Sequence, residues 1–146
     1  MRLRLALLIA LALASVARAE DTIWTAVVLA TNAAAPKTAP DELAKFVPKL
    51  KRAFGYNQFE VVGSASEKID HGTEAHLAPT QSFAIDVKAR RSTTKEARGG
   101  YLLNIQLLHD ERQLVDTEAR LAPGSPFFIR GPQYGKGQIV FVLVIQ

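Results

Sequence analysis

From Thr22 to Thr31 the chain reads Thr-Ile-Trp-Thr-Ala-Val-Val-Leu-Ala-Thr, apolar or β-branched at both odd and even positions. A strand with apolar residues on both faces is covered on both sides, so this segment is expected at the centre of a sheet. Asn32 to Pro40 is small and polar with two prolines, a loop composition. Thr38 followed by Asp41 offers a helix N-cap with a carboxylate in the first turn. Leu43, Phe46, Val47, Leu50 and Phe54 then recur at helical spacing, opposite Lys45, Lys49 and Arg52, and Gly55 can supply the left-handed residue that ends the helix. Pro48 cannot donate to the carbonyl of Ala44, which predicts either a kink there or two short helices abutting at that point.

After Gly55 the period of the apolar residues changes from 3.6 to 2. Gln58 to Val62 reads as a strand that can run on to Ser66, and Thr73 to Leu77 as a weaker one. Phe83, Ile85, Val87 and Ala89 alternate with Ala84, Asp86, Lys88 and Arg90, a half-exposed strand. Arg91 to Gly100 is a charged loop ending in Gly-Gly. Tyr101 to Leu108 is the next strand, His109 to Arg112 turns the chain, and Gln113 to Leu121 returns antiparallel. Pro123-Gly124 turns again, and Phe127 to Arg130 adds a short strand. Ile139 to Ile145 holds seven residues without a polar side chain and is expected to pair with Thr22 to Thr31 beneath the helix. This order predicts an α+β domain: one N-terminal helix, kinked or broken at Pro48, packed on a curved, mainly antiparallel sheet of about 6–7 strands.

The segment ahead of these elements is of another kind. Arg2 and Arg4 precede an unbroken apolar run from Leu5 to Ala14, and Ala17-Arg18-Ala19 has the small-x-small form of a cleavage site. This reads as a secretory signal peptide over residues 1–19, leaving residues 20–146 as one exported domain, periplasmic or extracellular. The apolar run is half the length that spans a bilayer, so no stable membrane span is expected after cleavage. The whole chain of 146 residues carries a net charge of +4, but without Arg2, Arg4 and Arg18 there remain 15 basic and 14 acidic residues. A basic partner-seeking surface is thus mostly a property of the export segment, and nucleic acid is not an expected partner. With no cysteine, an exported domain must hold itself together by burial alone.

Candidate chemistry is sparse. Gly131-Pro132-Gln133-Tyr134-Gly135-Lys136-Gly137 resembles a phosphate loop only superficially: three residues separate the glycines, Gly137 follows the lysine, and a strand comes next. Asp70, His71 and His76 could surround a zinc ion only on an irregular loop, because alternation puts His71 and His76 on opposite faces of a strand. His109-Asp110-Glu111 sets a base beside carboxylates at the tip of a hairpin, where charge is expected anyway. No serine lies in a Gly-x-Ser-x-Gly elbow, and thiol chemistry is excluded. Lys45, Lys49, Lys51 and Arg52, like Lys88, Arg90, Arg91, Lys95 and Arg98, form local basic clusters that read as solvated faces. No catalytic residue, cofactor or metal is therefore assigned.

Leu50 to Asn57 (Leu-Lys-Arg-Ala-Phe-Gly-Tyr-Asn), Val61-Val62-Gly63, and Phe128 to Tyr134 (Phe-Ile-Arg-Gly-Pro-Gln-Tyr) before a final apolar strand are similar to small exported bacterial proteins of no assigned activity. The resemblance implies the same organisation, a signal peptide and one β-rich α+β domain, and carries no site residue. Two functions fit what remains. The first is a non-catalytic interaction or assembly module that meets another envelope protein through an exposed strand edge, with Phe127, Phe128, Tyr134 and Lys136 as a candidate contact surface. The second is a small-ligand binder or hydrolase whose site is assembled from distant residues such as Glu60, His76 and Asp86.

Overall fold

The computed structural model describes residues 20–93 and 99–146. The expected signal peptide, and Lys95 and Arg98 of the second basic cluster, lie outside the described residues. Ten elements follow in chain order: β1 (Asp21–Thr31), α1 (Asp41–Ala44), α2 (Val47–Phe54), β2 (Gln58–Ile69), β3 (Glu74–Leu77), β4 (Phe83–Arg91), β5 (Tyr101–His109), β6 (Arg112–Leu121), β7 (Phe127–Tyr134) and β8 (Gly137–Ile145).

The strands form two four-stranded antiparallel sheets, ordered β2-β1-β8-β7 and β3-β4-β5-β6. This overturns the expected α+β domain with one helix on a single 6–7-stranded sheet. Of the described residues 59% are in strands and only 10% in helices. The reason is a shortage of helix to cover apolar strand faces. Ile85, Val87 and Ala89 of β4 and Tyr101, Leu103, Ile105 and Leu107 of β5 need an apolar partner surface, and the two short helices are already committed elsewhere. Sheets cover each other instead, the packing of a β-sandwich.

The pairing of β1 with β8 is as expected, antiparallel from Ile23↔Ile145 to Ala30↔Gln138. Alternation along both strands sends side chains into two separate cores. Ile23 and Val27 with Ile139, Phe141, Leu143 and Ile145 face the second sheet. Trp24, Ala26, Val28 and Ala30 with Val140, Val142 and Val144 face Leu43, Phe46 and Leu50 of the helical segment. Full burial of a side chain such as Leu50 contributes about 1.5–3 kcal/mol, so three anchors suffice to hold this short cover in place.

The helix breaks between Ala44 and Val47, and Pro48 lies near the start of α2, where its missing N–H costs no helical bond. Gly55 ends α2 at φ 74°, its N–H donating to the Lys51 carbonyl at 2.9 Å. The Thr38 cap does not form: Pro40 precedes α1 with no side-chain cap, although Asp41 and Glu42 do occupy the first turn. At the other end of the sandwich, fully buried Tyr101 donates its hydroxyl to Asp21 Oδ2 at 2.7 Å. Burial and the Asp21 carboxylate push the Tyr101 pKa up to about 12. Arg91 lies 5.3 Å over the Tyr101 ring and donates to Asp70 from Nε at 2.9 Å, which ties β5, β1 and the β2–β3 turn together. Among the described residues no helix is long and apolar enough to cross a membrane.

Candidate functional site

The four residues expected at a contact surface are split by the pleat of β7. Phe127 turns inward against the inter-sheet core, and Phe128 turns to the helix side, its ring 6.0 Å from that of Phe54 with Arg130 5.1 Å beyond. Both are half-buried. Tyr134 is 67% exposed, and Lys136 sits in the exposed turn before β8. Gly131 and Pro132 form a bulge in β7, where register is lost between Arg130 and Gln133. A Cβ at Gly131 would meet the Phe141 ring at 2.6 Å, so only glycine lets β7 close on β8 there. The buried Gln138 side chain donates to the Gly131 carbonyl freed by the bulge, a contact that no sequence pattern announced.

Tyr134 borders an apolar cleft of about 490 Å³ at one end of the sandwich, lined by Val27, Leu29, Phe83, His109, Pro132 and Ile139 among others. His109 stacks on Phe83 with centroids 4.4 Å apart, and Phe83 meets Phe141 edge-on at 5.0 Å. The cleft is the open mouth between the sheets, and its wall carries the His109 imidazole, whose Nε2 lies 3.4 Å from Asp110 Oδ2.

His76 and Asp86 are brought together: they face each other across β3 and β4 with Nδ1 and Oδ1 2.5 Å apart. Glu60 is not part of this pair. It lies on β2 of the other sheet, opposite Leu29, and accepts a hydrogen bond from Gln58 at 3.1 Å. His71 is in the β2–β3 turn, where its Nδ1 accepts the Arg91 N–H, and among the described residues no group of three His, Asp or Glu could hold a metal. Around His76 and Asp86 the outer face of the second sheet is a polar surface in cross-strand rows, Glu74–Lys88–Asn104–Glu118 and His76–Asp86–Gln106–Asp116. A shallow depression of about 450 Å³ lies over it, open to water and without an aromatic platform. The His76 and Asp86 side chains are 65% and 41% exposed, so this pair is solvated rather than shielded.

The sheet edges differ more sharply than the faces. β3 offers only four residues. β7 is interrupted by Gly131-Pro132. β2 carries a register shift at Val62, and the β3–β4 connection lies so close to its inner side that a Cβ on Gly63 would be 2.1 Å from the Pro79 carbonyl oxygen. Short length, proline, bulges and covering loops are the devices that blunt an edge. β6 has ten residues. After one register shift beside Leu114, Val115 to Leu121 pairs residue for residue with Leu107 to Tyr101, with neither glycine nor proline. Among the described residues, no backbone hydrogen bond from outside its own sheet reaches β6. Sequence reasoning identified this strand but not its position at an edge. No family model, curated protein or solved structure matches the chain.

Proposed function

We propose that this protein is an exported, non-catalytic interaction module that accepts a partner strand along β6. The observation that carries the reading is the regular run Val115–Leu121 at the edge of β3-β4-β5-β6, free of glycine and proline, beside a four-residue β3, a β7 interrupted by Gly131-Pro132 and a β2 whose regular run starts at Gly63 against the Pro79 carbonyl. An edge of this kind presents a row of unpaired N–H and C=O groups, and a strand laid against it gains main-chain hydrogen bonds with side-chain selection at alternate positions. The charges on Asp116, Glu118 and Arg120 discourage indiscriminate pairing and leave a partner of matching charge. Export rests on the basic, apolar and small-x-small order of residues 1–19.

The test is site-specific photo-crosslinking in intact cells, with a photoreactive residue at Asp116 on β6 or at Glu74 on β3. Adducts formed from position 116 and absent from position 74 support the reading. Equal labelling at both positions, or none at 116, overturns it.

A further inference from the structure

We infer that the strand taken up by β6 is β6 of a second copy of this chain, in an antiparallel pairing centred on Glu118. This rests on the reading of β6 as the pairing edge and names its occupant. A strand that pairs antiparallel with its own copy does so about a two-fold axis normal to the sheet, so a residue and its opposite number must point to the same face. The regular run Val115–Leu121 is symmetric about Glu118. Centring the axis there uses the whole run, which no other centre does.

The side chains then match. On the inner face Val115 meets Leu121 of the second copy and Thr117 meets Ala119. Val115 and Thr117 are only half-buried in the single chain, whereas Ala119 and Leu121 are buried, so pairing extends the apolar core across the junction. On the outer face Asp116 meets Arg120 of the second copy, and by symmetry this attractive pair occurs twice. The single unfavourable pair is Glu118 against itself, flanked on both sides by those charge pairs. Moving the axis to Thr117 would set Asp116 against Glu118 twice, and moving it to Ala119 would leave Val115 and Asp116 beyond the overlap. Charge excludes the axis at Thr117, whereas an axis at Ala119 would itself set Glu118 against Arg120 twice; the full overlap and the cover it gives Val115 decide for Glu118. The resulting sheet has eight strands, β3 to β6 and then β6 to β3 of the second copy, within the ordinary size of twisted sheets.

The experiment is sedimentation equilibrium on the purified exported protein and three exposed-face variants. The wild-type protein is expected to form dimers. Asp116→Arg sets the new guanidinium against Arg120 of the second copy at both ends of the pairing, and Arg120→Asp sets two carboxylates together there. Each substitution alone should therefore weaken dimerisation about tenfold or more. An equimolar mixture of the two variants joins unlike chains, which relieves the like-charge contacts, and should recover dimers, a rescue that misfolded variants cannot give. Glu118→Gln removes the like-charge pair and should tighten the dimer severalfold. The inference is overturned by a wild-type protein that stays monomeric at millimolar concentration, by dimers indifferent to the charge reversals, by a mixture that does not recover, or by weaker dimers with Glu118→Gln. A monomeric wild-type protein that still gives heterologous crosslinks from position 116 removes the second copy as occupant while leaving β6 as the pairing edge.

Discussion

Thr25 lies between Ile23 and Val27 on the inter-sheet face of β1, opposite Leu143 and Ala65, and is fully buried. Among the described residues its Oγ1 is the one buried side-chain polar atom without a hydrogen-bond partner. A hydroxyl removed from water with nothing in exchange costs about 1–3 kcal/mol, while an apolar group of the same shape has no such penalty. Thr25→Val keeps the shape and the β-branch and replaces the hydroxyl with a methyl group facing other apolar side chains. The expected gain is about 1–2 kcal/mol, or a melting temperature higher by roughly 3–6 °C for a domain of this size. Urea unfolding reads it directly: the midpoint should rise with no change in slope, because the surface exposed on unfolding is unaltered. Thr25→Ser, which keeps the hydroxyl and deletes the methyl, should lose about 1 kcal/mol. If Thr25→Val is no more stable than wild type, the hydroxyl has a partner in solution and the account of this core position is refuted.

Gly63→Ala would ordinarily stiffen a strand and help, but here the new Cβ would be 2.1 Å from the buried Pro79 carbonyl. We expect a loss of about 2 kcal/mol in chemical denaturation, and a gain would show that the β3–β4 connection does not rest on β2. Asp110 and Glu111, at φ 49° and 66°, hold the two central positions of the β5–β6 turn in the left-handed region. Replacing them with Asn-Gly should raise stability by about 1 kcal/mol, measured as a shift in the urea midpoint. Tyr101 titrates near 10 when unfolded and at about 12 in the fold, so the folded state holds the proton more tightly. Its contribution is complete below pH 10 and is lost as pH rises from 10 to 12, and Tyr101→Phe should flatten this part of the stability–pH curve.

Much of the local structure was legible because a half-buried strand writes its pleat into the sequence. Phe83 to Arg90 and Tyr101 to Leu108 alternate cleanly and were bounded to within a residue. β2 runs further than its apolar pattern, to Ile69, because β1 pairs with it along its full length, Asp21 opposite Ile69, and Gly63 to Lys68 follow the partner rather than their own hydropathy. β7 continues past Gly131-Pro132 for a related reason: a bulge absorbs the proline and Gln138 satisfies the freed carbonyl. At the candidate site the pattern pointed to Tyr134 and Lys136, which are exposed, and named His76 with Asp86, which meet. Nothing in it indicated that Glu60 would lie on a different sheet. The alternation of Asp116, Glu118 and Arg120 was visible, but being an edge is a relation to strands that are absent on one side, and no residue encodes an absence.

Periodicity and composition by themselves determined the strands, the break around Pro48, the stop at Gly55, the both-faces burial of β1 and β8 and the lack of any thiol chemistry. These follow from short-range physics, the pleat, the missing proline donor and the left-handed glycine. Tertiary structure alone decided what covers each apolar face. An apolar stripe demands burial but is indifferent to whether a helix or a second sheet supplies it, and with two short helices already committed to β1 and β8 the remaining strands could only cover one another. That choice made the domain a sandwich, and with it placed β6 at an open edge.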